Sequence, residues 1–341
     1  MAFVIDSEEW DFNGLNCDDV VVKLEQLLAQ ADNASLRNED IFVGNDLQSK
    51  SVCGTMDLWT FLNHSSMSGI NSELISELSA FLNSAVFYED DDACWPRGFP
   101  DVIVHDSSGK QLDLDLTFIH LKLIEKEPFA CLTLDQTQFN ETTSVKGAVA
   151  IQYIFDEVSH KKFWRETAQS LLRDTAATLE SLAPHAYPSL YFQSDVWSGI
   201  DSFDGGYKRV SVVLRKYLSI LDDYGSWVFI EPPPALHPSD TVAPEVGKMP
   251  TNADIENRFE GLGLDIVPEK PNVFKKKKCR RAREILFEWK DEKNNKYSEV
   301  LYCGWHGRFE RHINRLHLFP PIPASKNKLI IGIFHKHLPL P

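Results

Sequence analysis

Apolar residues recur at helical spacing at Val20, Val21, Leu24, Leu27 and Leu28, directly after Asp18 and Asp19, whose charges oppose the positive end of a helix dipole. The same period returns at Leu74, Leu78, Phe81 and Leu82, and a third stretch, Lys161 to Leu182, places Phe163, Trp164, Ala168, Leu171, Leu172, Ala176 and Leu179 on one helical face. A further helix is expected from Arg209 to Asp223, with Val210, Val213, Leu214, Tyr217, Leu218 and Leu221 as its apolar side. Between these lie short strand-like runs. Asp101–His105 leads into the polar turn 106–110 and another apolar run, and 130–134 and 148–155 read as buried strands. Helices packed on a sheet follow from this alternation.

The pattern changes at Glu231. Pro232, Pro233, Pro234, Pro238, Pro244 and Pro250 remove backbone donors, so 231–251 reads as a semi-rigid linker. A short helix, 252–260, stops at Gly261. Thereafter the period is two: Ile285, Phe287 and Trp289 share one face, a polar turn occupies 291–296, and strands are expected at 300–305, 312–319 and 328–334. The fold class expected is α+β, with a mixed α/β acidic body (1–230), a Pro-rich linker (231–251) and a small basic C-terminal domain built as a four-stranded antiparallel sheet (252–341).

Charge sharpens that division. Residues 271–341 carry 16 Lys and Arg against 6 Asp and Glu, whereas 1–270 carry 19 against 44. A basic tail on an acidic body points to a nucleic-acid or acidic-protein partner. The 341 residues, 43% hydrophobic, contain ample core material, and no apolar run reaches the roughly 18 residues of a membrane span. The N-terminus lacks the basic and apolar regions of a signal peptide, and the six cysteines form no CxxC pair. A cytoplasmic protein with reduced thiols, no membrane partner and no cofactor is therefore expected.

The candidate chemistry lies in the tail. Lys275, Lys276, Lys277, Lys278, Arg280, Arg281 and Arg283, with Arg308 and Arg311, can neutralise backbone phosphates, RNA rather than DNA being preferred, or can cover acidic protein surface instead. His306, His312, His317, His335 and His337 supply imidazoles that act near neutral pH. Arg315, His317, His335 and His337 are the candidate catalytic set: Arg315 braces a phosphate while His335 or His337 moves the proton of an attacking 2′-hydroxyl. The opposing reading makes these rings hydrogen-bonded filling of a small sheet. Cys303, His306, His312 and His317 match no trusted zinc spacing, so no metal centre is expected there. Glu288-Trp289-Lys290 with Asp265 has the short ExK form of metal-dependent nucleases, although a solvent-facing cross-strand pair explains it as well. The acidic clusters 89–92 and 222–223 read as solvated loops, cation sites or contacts for a basic partner, and Trp95, Trp164, Trp197 and Trp227 as core. No phosphate loop, HExxH, GxSxG or dinucleotide fingerprint is present.

The run Tyr302-Cys303-Gly304-Trp305-His306-Gly307-Arg308, then Asn314-Arg315-Leu316-His317-Leu318, Pro320-Pro321, Leu329-Ile330-Ile331-Gly332-Ile333 and His337-Leu338-Pro339, resembles the C-terminus of poorly characterised bacterial proteins associated with mobile-element and phage-defence loci. Residues 183–192 are similar to the same group. The tail also resembles the RelE-type toxin ribonucleases in Arg308, Arg311, Ile313, Arg315, Leu316 and the terminal His337. These resemblances imply a bacterial defence or toxin-like protein that binds nucleic acid and cleaves RNA without a metal. Two alternatives stand beside this: a non-enzymatic subunit that docks partner proteins of a defence complex, and a metal-dependent nuclease using Glu288 and Lys290.

Overall fold

The computed structural model describes residues 2–90, 92–135 and 140–341, and its fold is α+β. It divides into two compact units, Met1–Arg173 and Asp174–Pro341.

The first unit is organised by a parallel sheet of five strands, β1 (Ala2–Ile5), β2 (Asp40–Val43), β3 (Val86–Phe87), β4 (Phe129–Leu132) and β5 (Tyr153–Ile154), in the order β5-β4-β1-β2-β3. All four pairings are parallel. The order reverses direction beside β1, which makes this a doubly wound arrangement. Every residue of β1 is buried, as expected of a central parallel strand covered on both faces. Phe3 packs edge-on against His160, Phe163 and Trp164, while Ala2 and Val4 belong to a cluster with Phe118, Ile119 and Phe129.

Three helices matter for the site: α1 (Cys17–Leu36), α2 (Ser72–Ser84) and α3 (Leu114–Ile124). The first two follow the expected periodicity. The third does not, because LDLTFIHLKLI is buried nearly all round and so has no polar face to give a period. Its His120 bonds Thr142 Oγ1 at 2.8 Å and Ser144 Oγ at 2.9 Å, tying α3 to an antiparallel sheet of Val104–Asp106, Asn140–Ser144 and Gly147–Ile151.

The second unit contains α4 (Ala176–Ala186), β6 (Leu190–Phe192), α5 (Gly206–Ile230), α6 (Asn252–Gly261) and β7 (Ile266–Pro268), followed by β8 (Glu284–Lys290), β9 (Lys296–Tyr302), β10 (Trp305–Arg308), β11 (Arg315–Phe319) and β12 (Leu329–His335). Its main sheet runs β6-β12-β11-β10-β7, antiparallel except that β6 lies parallel to β12. Strands β8 and β9 form a separate hairpin. The tail strands are therefore split between two sheets, and one partner strand comes from residue 190, outside the expected 252–341 domain.

The boundary also differs from the Pro-rich stretch. Residues 231–251 lie within the second unit, and one side chain explains why. Arg258 on α6 is fully buried and donates to Ala235 O (2.8 Å), Val228 O and Glu231 O (2.9 Å each) and Pro232 O (3.4 Å). A guanidinium with five donors in a fixed fork thus satisfies carbonyls that prolines and the end of α5 leave without helical partners. The expected helix over 161–182 instead ends at Leu171 and restarts at Ala176, across the boundary between the units.

Candidate functional site

The carboxyl ends of β1 and β4, where strand order reverses, form the crevice in which doubly wound sheets place their ligands. Asp6 follows the last residue of β1, and its Oδ1 accepts from Glu8 N at 2.9 Å, capping the single turn Ser7–Glu9. Asp113 is the N-cap of α3, accepting from Leu116 N at 2.9 Å, and Asp115 sits in the first turn of that helix. One carboxylate oxygen from each of Asp6, Asp113 and Asp115 lies within 4.8 Å of the others.

Asp115 is held from two sides. Ser7 donates both its backbone N–H (2.9 Å) and its hydroxyl (2.6 Å) to Oδ2, and the Tyr88 hydroxyl donates to Oδ1 at 2.7 Å. Lys50 bonds Ser7 Oγ at 3.2 Å and pairs with Glu8. On the opposite flank Thr133 donates to Glu9, and Lys23 pairs with Asp135. Gly44, just beyond β2, leaves room for this arrangement: a Cβ there would lie 2.7 Å from Asp115 Oδ1 and 3.2 Å from the Tyr88 hydroxyl.

Burial raises the Asp6 carboxyl, with repulsion from Asp113, Glu9 and Asp115 adding to it. Burial likewise raises Asp113, opposed by the Leu116 N–H and by a hydrogen bond from Asp6. Asp115 is pushed up to about 6 by burial, against the bonds from Ser7 and Tyr88. Three carboxyls that resist ionising together are those a divalent cation would stabilise. All-oxygen ligands suit a hard ion such as Mg²⁺ or Mn²⁺. A second set, Asp6, Glu9 and Cys131, shares Asp6, but burial and then the surrounding carboxylates hold the Cys131 thiol well above its ordinary range, so it remains a protonated apolar filler.

These residues were missed in the sequence, although a signal was there. Asp6 closes the apolar run Ala2–Ile5, and Asp113-Leu114-Asp115 interrupts a second one. Acidic side chains at the ends of buried runs belong to strand or helix termini that face a crevice.

The tail residues fall into a different arrangement. His306 on β10 stands opposite His317 on β11, with ring centroids 5.6 Å apart, and Arg315 pairs across to Arg308 and His335. His317 is fully buried, His306 nearly so, and His335, His337 and Arg315 are half-buried. His337 lies past the end of β12 and donates its backbone N–H to His335 Nδ1 at 2.9 Å. Burial and neighbouring arginines hold His306 down to about 3 and His317 well below its ordinary value. Neutral, enclosed imidazoles are poorly placed to exchange protons with a substrate in a cleft. His312 is exposed in the loop before β11.

Lys275, Lys276, Lys277, Lys278, Arg281 and Arg311 are exposed, as contact with a phosphate backbone requires. Arg280 pairs with Glu284 and Arg308 with Asp265. Arg283 does not belong with this surface, since it is fully buried with Nε 2.5 Å from Glu269 Oε1. Glu288 and Lys290 are exposed on the β8–β9 hairpin, and Asp265 is engaged by Arg308. Asp222 is a buried partner of Ser189 N (2.6 Å), Glu89 accepts from Asn45 N, and Asp91 lies outside the described residues.

The chain matches no family model, no curated protein and no solved structure. No helix among the described residues is long and apolar enough to cross a membrane.

Proposed function

We propose that this chain is a divalent-cation-dependent nuclease whose metal centre is formed by Asp6, Asp113 and Asp115. The observation that carries this reading is the convergence of three carboxylate oxygens within 4.8 Å at the carboxyl end of a doubly wound sheet. Bound Mg²⁺ or Mn²⁺ would polarise a phosphoryl oxygen and lower the pKa of a water molecule. The protein's own part is to hold the ligands: Ser7 and Tyr88 fix both oxygens of Asp115, Asp113 is fixed by the α3 N-terminus, and Asp6 by its turn. In hydrolysis the water oxygen forms the new P–O bond, one ester P–O bond breaks, and the water proton passes through a carboxylate of the cluster to the leaving oxygen.

A nucleic-acid substrate is supported by the exposed Lys275–Lys278 run and Arg281, which supply sequence-independent affinity for a phosphate backbone. A role in bacterial defence, suggested by the motif around Trp305, Arg315 and His337, is compatible with degradation of foreign nucleic acid. The metal site replaces the Glu288–Lys290 pair as the basis of metal-dependent cleavage, and it is favoured over acid–base work by His317 because that ring is enclosed.

The test is cleavage of RNA and of DNA by the purified chain with Mn²⁺ or Mg²⁺ and with chelator. Cleavage should require the cation and fall about 100-fold or more in Asp6→Asn and Asp113→Asn, while Glu288→Ala retains it. Cleavage that persists in chelator, or that ignores both substitutions, overturns the proposal. A chain that cleaves neither polymer under any condition supports the docking-subunit reading instead.

A further inference from the structure

The second unit contains a cluster of buried polar nitrogens without hydrogen-bond partners, on β10, β11 and the residue before β8. Neither ring nitrogen of the fully buried His317 has a hydrogen-bond partner, and the same holds for Arg283 Nη2, Arg315 Nε and His306 Nδ1. Buried polar atoms are almost always paired, so several in one cluster point to a group that completes them.

The charge is unbalanced in the same direction. Glu269 is the buried carboxylate of the cluster, and its Oε1 is taken by Arg283 Nε at 2.5 Å, with His306 Nδ1 at 3.5 Å and His317 Nδ1 at 3.7 Å. Arg308 is matched by Asp265. Arg315 forms no ion pair among the described residues, although its Nε is enclosed. The carboxylates that favour its charged form, Glu269 and Asp265, are already engaged by Arg283 and Arg308. A metal ion does not answer the case, because among the described residues no such histidine set brings its ligand atoms within coordinating distance of one another.

We infer that this cluster is a binding site for a phosphoryl group, held by Arg315, Arg283, His306 and His317. The unmet donors are the guanidinium N–H groups of Arg283 and Arg315 and the single N–H that each neutral imidazole carries; they come from β10, β11 and the residue before β8, so they approach from separate directions, which a tetrahedral oxyanion satisfies better than the two coplanar oxygens of a carboxylate. Exposure grades from enclosed His317 and Arg283 to half-buried Arg315, His335 and His337. Such a site admits the end of a chain rather than its middle. The ligand class is therefore a phosphate monoester, either a terminal phosphate of a nucleic acid or a free phosphate compound. The inference is independent of the metal centre in the first unit.

The experiment is calorimetric titration of the full chain in chelator, so that no cation occupies the first unit, with inorganic phosphate and with a short RNA carrying either a 5′-phosphate or a 5′-hydroxyl. Saturable one-to-one binding of phosphate is expected. It should be weakened about tenfold or more in Arg315→Gln, a half-buried position, and unchanged in Lys110→Ala, an exposed position in the first unit. Preference for the 5′-phosphorylated RNA over the 5′-hydroxyl form supports a strand end as the ligand; equal binding of both, with phosphate still saturable, supports a free phosphate compound. Absence of saturable phosphate binding by the unmodified chain, or equal affinity in Arg315→Gln and in His317→Asn, overturns the inference.

Discussion

The Tyr88 hydroxyl donates to Asp115 Oδ1 at 2.7 Å, opposite the two donors that Ser7 directs at Oδ2. Burial and the Asp115 charge raise the Tyr88 phenol further, so it remains a donor throughout the physiological range. Tyr88→Phe removes one of three bonds that oppose protonation of Asp115. The variant should lose about 1–3 kcal/mol of stability and bind Mn²⁺ more weakly near pH 6, the deficit narrowing at pH 8 where Asp115 ionises regardless. Thermal melts and Mn²⁺ titration at the two pH values measure both effects.

Gly44→Ala tests the same geometry from the backbone. The added methyl would meet Asp115 Oδ1 at 2.7 Å, so the carboxylate or Gly44 must shift. Cation binding is expected to weaken while the helical circular-dichroism signal stays near that of the parent. Unchanged Mn²⁺ affinity would show that the site tolerates the displacement.

Stability should depend on pH in a direction opposite to that of a salt-bridged carboxylate. Asp115 has its folded-state value raised from 3.8 to about 6, so the folded chain holds this proton more tightly than the unfolded chain. Its contribution is complete below about pH 4 and is lost as pH rises through about 6. The magnitude is on the order of 3 kcal/mol. Divalent cation should restore stability above pH 6. Calorimetric melts in chelator, with and without Mn²⁺, should show a downward slope with pH that Asp115→Asn flattens and Mn²⁺ offsets.

Arg258→Ala leaves the carbonyls of Val228, Glu231, Pro232 and Ala235 without their shared donor. A loss of about 3–5 kcal/mol is expected, with the 231–251 segment becoming the first site of proteolysis. Arg258→Lys should restore little, because an ammonium cannot span carbonyls that the guanidinium fork reaches together. Limited proteolysis followed by mass spectrometry locates the cut.

Replacing Lys275–Lys278 together by Ala should lower the slope of log affinity against log salt by about 3 for nucleic acid, with cation-dependent cleavage of a saturating short substrate retained. An unchanged slope would assign these exposed lysines to another partner.

The periodic helices were legible because each has one wet face. Leu74, Leu78 and Leu82 are buried on α2, and Val210, Leu214, Tyr217, Leu218 and Leu221 on α5, as their spacing requires. The α+β class and the alternation of the tail strands follow from the same logic. The elements that carry the proposed metal site did not show themselves this way. β1 is only four residues long and enclosed on both faces, and α3 is buried nearly all round with Asp115, Thr117, His120 and Lys122 scattered over its circumference, so neither has a period to read.

Charge behaved similarly. Sequence alone determined that a basic run lies at 275–283 and that Arg315 and five histidines follow it, because residue type and order are local facts. Only the tertiary structure decided that Lys275–Lys278 are exposed while Arg283 is enclosed beside Glu269, and that Arg258 binds the Pro-rich segment into the second unit. It alone brought Asp6 to Asp113 and Asp115, more than 100 positions away, since parallel pairing of β1 with β4 returns the chain to the same crevice. A carboxylate's chemistry depends on which other carboxylates share its low-dielectric surroundings, and that is set by strand order, which no local pattern records.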